Sequence, residues 1–207
     1  MKKKVMIVDD QAMARNLFEM YLENSEKYIV THSLTTAAFA DAFVIKNHID
    51  LVIMDILMQD GSNGLDAAEK IKRYNPEIKI IAVTSMPEVS WIDRAREIGI
   101  ESFWYKESSK ETILEVIDKT MDGESVFPDS TPTVQFGNIK SSEFTERELE
   151  ILRVMTTGAS NSVIAGELNL SEGTVKGYIH NMLEKTGYTS RTELAIEARI
   201  SGITVKI

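Results

Sequence analysis

Cysteine is absent from the 207-residue chain, and proline is scarce, with only four residues. The lack of cysteine excludes disulfide bonds, thiolate zinc sites and cysteine nucleophiles. No apolar run approaches the length of a membrane-spanning helix. The basic start, MKKKVMIVDD, has an apolar stretch that Asp9 and Asp10 end too early for a signal peptide. These absences predict a soluble cytoplasmic protein without a membrane partner.

The formal net charge of -9 argues against a protein that binds polyanions along its whole length. Residues 1–139 carry 15 Lys and Arg against 23 Asp and Glu, whereas residues 140–207 carry 8 against 9. An acidic first part beside a nearly neutral second part indicates two units with different partners. The chain is long enough for two domains that each bury a core of their own.

Five short apolar runs alternate with helix-length amphipathic stretches in residues 1–122. The runs are KVMIV (4–8), YIVTHS (28–33), LVIM (51–54), IKIIAV (78–83) and SFWY (102–105). Three of them are almost continuously apolar, which is typical of strands buried on both faces of a parallel sheet. The alternation predicts a doubly wound α/β domain with five parallel strands. The pattern Ser108-x-x-Glu111 predicts the start of its last helix.

The alternation stops at residues 123–142, where glycine, proline and serine predict an interdomain linker. Residues 143–207 show helical periodicity only, which predicts a smaller all-α domain. A capping box at Thr145-x-x-Glu148 opens its first helix. Farther on, a short helix, a turn at 169–171 and a second helix form a helix-turn-helix pattern.

Polar residues follow four strands of the predicted sheet, at the edge where such sheets bind ligands. Asp9-Asp10 follows the first strand, Asp55 the third, Thr84 the fourth and Lys106 the fifth. Three carboxylates in one crevice raise one another's pKa unless a cation neutralises them, and oxygen ligands suit Mg²⁺. A lysine and a hydroxyl supply the charge and the hydrogen-bond donor that a phosphoryl group needs.

The motifs VDD, LVIMDILM, AVTS and WYKES, in this order, resemble the receiver domain of bacterial two-component response regulators. The resemblance implies that Asp55 is the phosphoacceptor for a phosphohistidine or a small phosphodonor. It also implies that Thr84 and Lys106 hold the phosphoryl oxygens and that Phe103 is an aromatic switch residue. Phe103 has an alternative interpretation, because an aromatic residue in a strand most often belongs to the core.

For the metal, the same resemblance implies Mg²⁺ or a similar divalent cation. Its direct ligands would be Asp10, Asp55 and the backbone carbonyl of Leu57, with Asp9 acting mainly through water. The loop after Asp55 departs from the family pattern, because Gln59 replaces the usual proline and the following Asn-Gly turn comes one residue later. These departures concern the conformation of the loop beside the metal.

Two enzyme classes are alternatives for a domain with these motifs. A haloacid dehalogenase-type phosphatase also uses a strand-end aspartate with Mg²⁺, but it needs a second acid where this chain has Leu57. A dinucleotide-binding oxidoreductase needs a glycine-rich turn after the first strand, and Asp9-Asp10-Gln11 contains no glycine. The sequence therefore predicts a regulator and not an enzyme.

The segments FTERELEIL, SNSVIA, LSEGTVKGYIHNML and TSRTELA resemble the LuxR-type DNA-binding domain of NarL/FixJ-class response regulators. The spacing of Val175, Ile179 and Met182 predicts a core-facing side, and the opposite side would enter the major groove. The resemblance and the side-chain chemistry imply DNA contacts by five residues of that side: Thr174, Lys176, Gly177, His180 and Asn181. A plain solvated face is the alternative for Lys176 and His180.

Together the two resemblances imply a regulator that a sensor histidine kinase phosphorylates at Asp55. The phosphorylated chain would form a homodimer and bind a specific sequence of double-stranded DNA to regulate transcription. The open alternative is a regulator of the same fold that dimerises and binds DNA independently of phosphorylation.

Overall fold

The structure is a computed structural model, and it describes residues 1–88, 90–107, 109 and 111–203. The chain divides into two compact units, and the boundary along the chain falls between Ser130 and Thr131. Within the described residues, no helix is both long enough and apolar enough to span a bilayer.

The first unit is a parallel sheet with the strand order β2-β1-β3-β4-β5. Its strands are β1 (Lys3–Val8), β2 (Tyr28–Leu34), β3 (Leu51–Asp55), β4 (Lys79–Thr84) and β5 (Ser102–Tyr105). Its helices are α1 (Ala12–Glu23), α2 (Ala40–Lys46), α3 (Gly64–Tyr74), α4 (Ser90–Ile98) and α5 (Ile113–Met121). This architecture confirms the predicted doubly wound, five-stranded domain.

Both faces of the sheet are buried, which explains why its central strands are almost continuously apolar. Ile7, Ile53 and Trp104 face one core together with residues of α1 and α5. Strand residues alternate in direction, so Phe103 points to the opposite face, where α3 contacts β3 and β4 and lies between α2 and α4. The strand ends at the carboxyl edge are therefore the place where polar side chains converge.

Helix α5 begins later than the sequence predicted. Its N-cap is Thr112, and a reciprocal capping box joins the Thr112 hydroxyl and the Glu115 carboxylate to each other's backbone N–H groups. The predicted start at Ser108-x-x-Glu111 was wrong, and Ser108 itself lies outside the described residues. The Glu111 carbonyl accepts a hydrogen bond from the Trp104 indole at 2.9 Å, so Glu111 lies against β5 and precedes the helix.

The interdomain linker is shorter than the predicted range 123–142. Val126 lies along the edge of β5, where its carbonyl accepts from the Phe103 N–H at 2.8 Å and its N–H donates to the Ser102 hydroxyl at 3.0 Å. The next side chain, Phe127, has the Arg96 guanidinium 4.8 Å from its ring centroid. The first part of the predicted linker therefore belongs to the first unit.

The second unit is helical, as predicted, with the addition of a two-stranded hairpin in the rest of the predicted linker. The antiparallel strands β6 (Gln135–Phe136) and β7 (Ile139–Lys140) are followed by a 3-10 turn, Ser141–Glu143. Phe136 and Ile139 are buried in the core of this unit. Together with Val134, these two side chains are the apolar residues of a stretch that otherwise has the composition of a linker. Two-residue strands are too short to show a period.

Four helices complete the second unit: α6 (Glu146–Met155), α7 (Asn161–Leu168), α8 (Glu172–Thr186) and α9 (Arg191–Ile200). The predicted capping box of Thr145 and Glu148 opens α6. Helix α7 ends at Asn169, which has a left-handed backbone with φ 54°, and α8 starts after Ser171, whose hydroxyl accepts from the Thr174 N–H. Helices α7 and α8 pack together and form the predicted helix-turn-helix.

Candidate functional sites

Three carboxylates meet at the carboxyl edge of the sheet, as the strand ends predicted. Asp9 and Asp10 follow β1, and Asp55 is the last residue of β3. Each offers an oxygen to a cluster in which these atoms lie within 4.8 Å of one another. Asp9 and Asp55 are buried and Asp10 is half-buried. The arrangement concentrates negative charge at one point of the sheet edge.

Lys106 supplies the opposing positive charge. Its Nζ lies 2.6 Å from Asp9 Oδ2 and 3.1 Å from Asp55 Oδ1. The Lys106 backbone N–H donates to the Thr84 carbonyl at 2.9 Å, so the ends of β4 and β5 hold these two residues side by side. Asp9, Asp55 and Thr84 are buried at this edge of the sheet, and Lys106 is half-buried.

The pKa of Asp55 reflects this crowding. The pKa of Asp55 is raised to about 7: burial is the largest cause, the Lys106 ammonium lowers the pKa, and the neighbouring Asp9 and Asp10 carboxylates raise it. A single ammonium therefore does not offset the desolvation of this carboxylate. Such a cluster of hard oxygen donors fits a divalent cation, which stabilises the ionised form of its ligands.

The loop after Asp55 is ordered by contacts that the departures from the family pattern allow. The Gln59 N–H donates to Asp10 Oδ2 at 2.8 Å, a bond that proline at this position cannot make. The Asp60 carboxylate accepts from the N–H and the hydroxyl of Ser62, whose oxygen in turn accepts from the Ala37 N–H at 3.1 Å. The longer loop is thus tied both to the carboxylate cluster and to the chain after β2.

Gly64, at the start of α3, was not singled out from the sequence as a site residue. A Cβ added to Gly64 would lie 1.9 Å from the Asp55 carbonyl oxygen, and the Gly64 N–H donates to the Ile56 carbonyl at 2.8 Å. Asn63 caps the helix by accepting from the Leu65 and Asp66 N–H groups. The sequence showed the Asn-Gly pair as a turn, but the approach of Gly64 to Asp55 depends on how the start of α3 packs on the end of β3.

The structure also describes the three remaining predicted residues of the first unit. Thr84 is buried at the end of β4. Leu57 is half-buried and forms an isolated bridge with Asn63. Phe103 is buried, and its ring contacts the Tyr105 ring edge-on with the centroids 5.1 Å apart. The roles expected of Leu57 as a metal ligand and of Phe103 as a switch stay predictions.

The second candidate site is the outer face of α8. Val175, Ile179 and Met182 are buried, as their spacing predicted. The five residues expected to contact DNA are all exposed: Thr174, Lys176, Gly177, His180 and Asn181. A Cβ added to Gly177 would meet no other atom within 4 Å, so packing inside the chain does not require this glycine. His180 Nε2 lies 3.5 Å from Glu184 Oε1 on the same face.

Two family models match the chain over these two units. The response regulator receiver domain matches residues 5–118, and the luxR family of bacterial regulatory proteins matches residues 142–198. The first match alone covers more than half of the sequence. The chain belongs to the two-component response regulators and carries a LuxR-type DNA-binding domain.

Curated relatives agree with this assignment over nearly the full length. The regulator is 35% identical over 202 residues to the response regulator protein VraR of Staphylococcus epidermidis. It is 34% identical over 200 residues to VraR of Staphylococcus aureus. Each alignment covers 94% of this chain and 95% of the relative.

Solved structures share the fold of the regulator. An RcsB–DNA complex matches with a TM-score of 0.62 at 20% identity, covering 99% of this chain and 100% of that chain. RcsB from Salmonella enterica serovar Typhimurium, bound to promoter rprA, matches with a TM-score of 0.61 at 21% identity, covering 98% and 100%. At these identities the similarity concerns the fold alone.

Proposed function

We propose that a partner histidine kinase phosphorylates the regulator at Asp55 and that the phosphorylated chain dimerises and binds a specific DNA sequence through α8. The observation that carries the proposal is the position of Lys106 Nζ, 3.1 Å from Asp55 Oδ1 inside the three-carboxylate cluster. A phosphoryl group on Asp55 would need a positive counter-charge, and the Lys106 ammonium is near enough to supply it.

The phosphoacceptor step is a transfer between two protein side chains. A carboxylate oxygen of Asp55 attacks the phosphorus of a phosphohistidine, a P–O bond forms, and the electron pair of the broken P–N bond returns to the imidazole nitrogen. The Lys106 ammonium would donate to the transferred phosphoryl oxygens, and the Thr84 hydroxyl would donate to another of them. The backbone hydrogen bond from Lys106 to Thr84 keeps the two residues adjacent before the transfer.

The metal that receiver domains generally bind would be held by the same cluster. Asp10, Asp55 and the Leu57 carbonyl are its proposed direct ligands, and Asp9 would act mainly through water. Bound Mg²⁺ supplies positive charge that offsets the carboxylates and the incoming phosphoryl group. The Gln59 N–H, which already donates to Asp10, restrains that carboxylate at the mouth of the cluster.

Transmission to the surface would start at Thr84. A phosphoryl group on Asp55 would attract the Thr84 hydroxyl. This movement would change the space beside β4 and β5 that the Thr84 side chain occupies. Phe103 is the neighbouring aromatic side chain whose position would respond. The surface formed by α4 and β5 is thereby altered, and the population shifts toward a dimer.

DNA recognition would rest on the exposed face of α8. Lys176 can donate to guanine and Asn181 can pair with adenine in the major groove, while Gly177 leaves room for the DNA to approach the helix backbone. The near-neutral second unit can neutralise few phosphates by itself, so two copies on adjacent half-sites are needed for tight binding. Structures of RcsB dimers bound to DNA support this arrangement by analogy.

The test begins with acetyl phosphate and Mg²⁺. Intact-mass spectrometry should find one phosphoryl group on the wild type and none on Asp55→Ala, and a chelator should abolish the uptake. Label that persists in Asp55→Ala, or uptake that is undiminished in chelator, contradicts the assignment of the site.

DNA binding is then measured with a duplex that the phosphorylated protein selects from a random-sequence pool. Phosphorylation should produce a dimer by sedimentation and tighten specific binding. Lys176→Ala should abolish the preference for the selected duplex, whereas Arg199→Ala, a charge-matched change at an exposed position of α9, should not. Tight specific binding by unphosphorylated Asp55→Ala would favour the phosphorylation-independent regulator.

A further inference from the structure

The turn of the β6–β7 hairpin lies against the C-terminal end of α8. The Asn138 N–H donates to the Thr186 carbonyl, in the last turn of the helix, at 2.9 Å. The Phe136 ring packs edge-on against the Tyr188 ring with the centroids 5.1 Å apart.

The contact leaves no room for a side chain at Gly137, and a side chain at Gly187 would displace the Asn138 amide. A Cβ added to Gly137 would lie 2.1 Å from the Thr186 carbonyl oxygen. A Cβ added to Gly187 would lie 2.3 Å from Asn138 Nδ2. Both glycines also have left-handed backbones, with φ 56° and 78°, which residues with a Cβ adopt only at a cost. The hairpin turn and the end of α8 are therefore closely packed against each other.

A second set of bonds holds the same end of α8. Lys185 Nζ donates to the Glu143 carbonyl at 3.0 Å and to the Glu148 carboxylate at 2.8 Å. The hairpin turn, the 3-10 turn and α6 thus all form hydrogen bonds with the last turn of α8. The exposed face that carries Lys176 and Asn181 extends from this restrained end toward the N-terminus of α8.

The hairpin is not part of the segment that matches the luxR family. That match begins at residue 142, and the receiver match ends at residue 118, so both strands lie between the two. Its buried Phe136 and Ile139 nevertheless belong to the core of the second unit. The chain between the two matched domains therefore contributes structure directly to the recognition helix.

We propose that the β6–β7 hairpin is a positioning element for α8 and that Gly137 and Asn138 are positioning residues for sequence-specific DNA recognition. The inference rests on the proposed DNA binding through α8. Hydrogen bonds to base edges need a fixed helix position, whereas phosphate contacts carry no sequence information and tolerate displacement. Release of the hairpin should therefore reduce discrimination between sequences more than it reduces total affinity.

The experiment compares two glycines of the full-length, phosphorylated chain. Gly137→Ala pushes a methyl group into the Thr186 carbonyl, whereas Gly158→Ala is the matched control. Gly158 also has a positive φ, 85°, in the same unit, but a Cβ there would meet no other atom within 4 Å. The affinities for the duplex selected by wild type and for a shuffled duplex are measured in parallel. We expect Gly137→Ala to lower their ratio by about tenfold, the loss of one base-specific contact, and Gly158→Ala to preserve it.

A second measurement does not require DNA. Hydrogen exchange of the backbone amides in the last turn of α8 should be faster in Gly137→Ala than in Gly158→Ala. If Gly137→Ala fails to fold, Tyr188→Leu takes its place, because it removes the ring that packs edge-on against Phe136 of the hairpin. Like Gly137→Ala, this variant should raise the exchange rate and lower the affinity ratio.

Three results separate the inference from the proposed function. An equal affinity ratio in Gly137→Ala and Gly158→Ala overturns the inference while DNA binding stands. Unchanged exchange at the end of α8, in Gly137→Ala or in its substitute Tyr188→Leu, overturns it as well. A wild-type chain that selects no sequence from the pool overturns the proposed function, and the inference falls with it.

Discussion

Gly64 lies against the backbone of Asp55 with no room for a side chain, since an added Cβ would be 1.9 Å from the Asp55 carbonyl oxygen. The start of α3 is thereby packed directly onto the last residue of β3. This contact explains why a glycine follows the helix-capping Asn63, although its backbone does not have a positive φ.

Gly64→Ala should therefore displace Asp55 and slow its phosphorylation by acetyl phosphate. We expect the first unit to lose about 1–3 kcal/mol of stability from overpacking. Both tryptophans, Trp91 and Trp104, lie in the first unit, so urea unfolding followed by their fluorescence reports on this unit alone. Gly99→Ala is the control, because its positive φ makes it costly while the space around it is open. Equal phosphorylation rates in the two variants would show that the contact does not position Asp55.

Gly177→Ala should stabilise the second unit and weaken specific DNA binding. Its added methyl group meets nothing in the chain, so the helix should gain about 1 kcal/mol from the better propensity of alanine. Gly166→Ala in α7 is equally open and should give a similar gain without affecting binding. Unfolding is followed by circular dichroism. DNA binding that is unchanged in Gly177→Ala would refute a close approach of DNA to the helix backbone.

Limited proteolysis should cut first between residues 128 and 133. Val126 is bonded to β5 on one side, and Val134 is bonded to Ser141 through both its N–H and its carbonyl on the other. Subtilisin should release two folded fragments by cleavage in this interval, and trypsin should not, because it contains no Lys or Arg. First cuts inside the strands or helices of the first unit would place the domain boundary elsewhere.

The pair of Glu148 and Lys185 should make the second unit sensitive to acid. Burial alone would raise the pKa of Glu148, but bonds from Lys185 and Thr145 hold it below the ordinary value of 4.5. Because the folded-state pKa is lowered, the stabilisation is present above 4.5 and is lost as the pH falls through the folded-state value.

Lys185→Met should cost about 1–3 kcal/mol at neutral pH, since it removes hydrogen bonds to a charged, buried carboxylate. The difference from wild type should shrink well below pH 4.5, where Glu148 is protonated. Lys176→Met, an exposed change in the same helix, should show neither effect. The free energy of unfolding in urea is measured at both pH values. A difference between Lys185→Met and wild type that does not change with pH would contradict the prediction.

The sequence predicted which residues share each candidate site, because each prediction depends on a local rule. Polar residues after buried parallel strands meet at one edge of the sheet, and this rule predicts that Asp9, Asp55, Thr84 and Lys106 lie at the same edge. Helical spacing likewise separated the buried Val175 and Ile179 from the exposed face of α8. Both are consequences of strand and helix geometry, which a short stretch of sequence determines.

The tertiary structure alone decided the contacts between residues that are distant in the chain. The approach of Gly64 to Asp55, the bond from Gln59 to Asp10 and the hairpin against Thr186 have no local period, because each depends on where two separate elements end up. The linker was predicted too long for the same reason: glycine and proline indicate a break in regular structure, but whether Val126 or Phe136 is bonded depends on the surface that the chain meets. Local geometry thus determined which residues face a site, and long-range packing determined how closely they are held there.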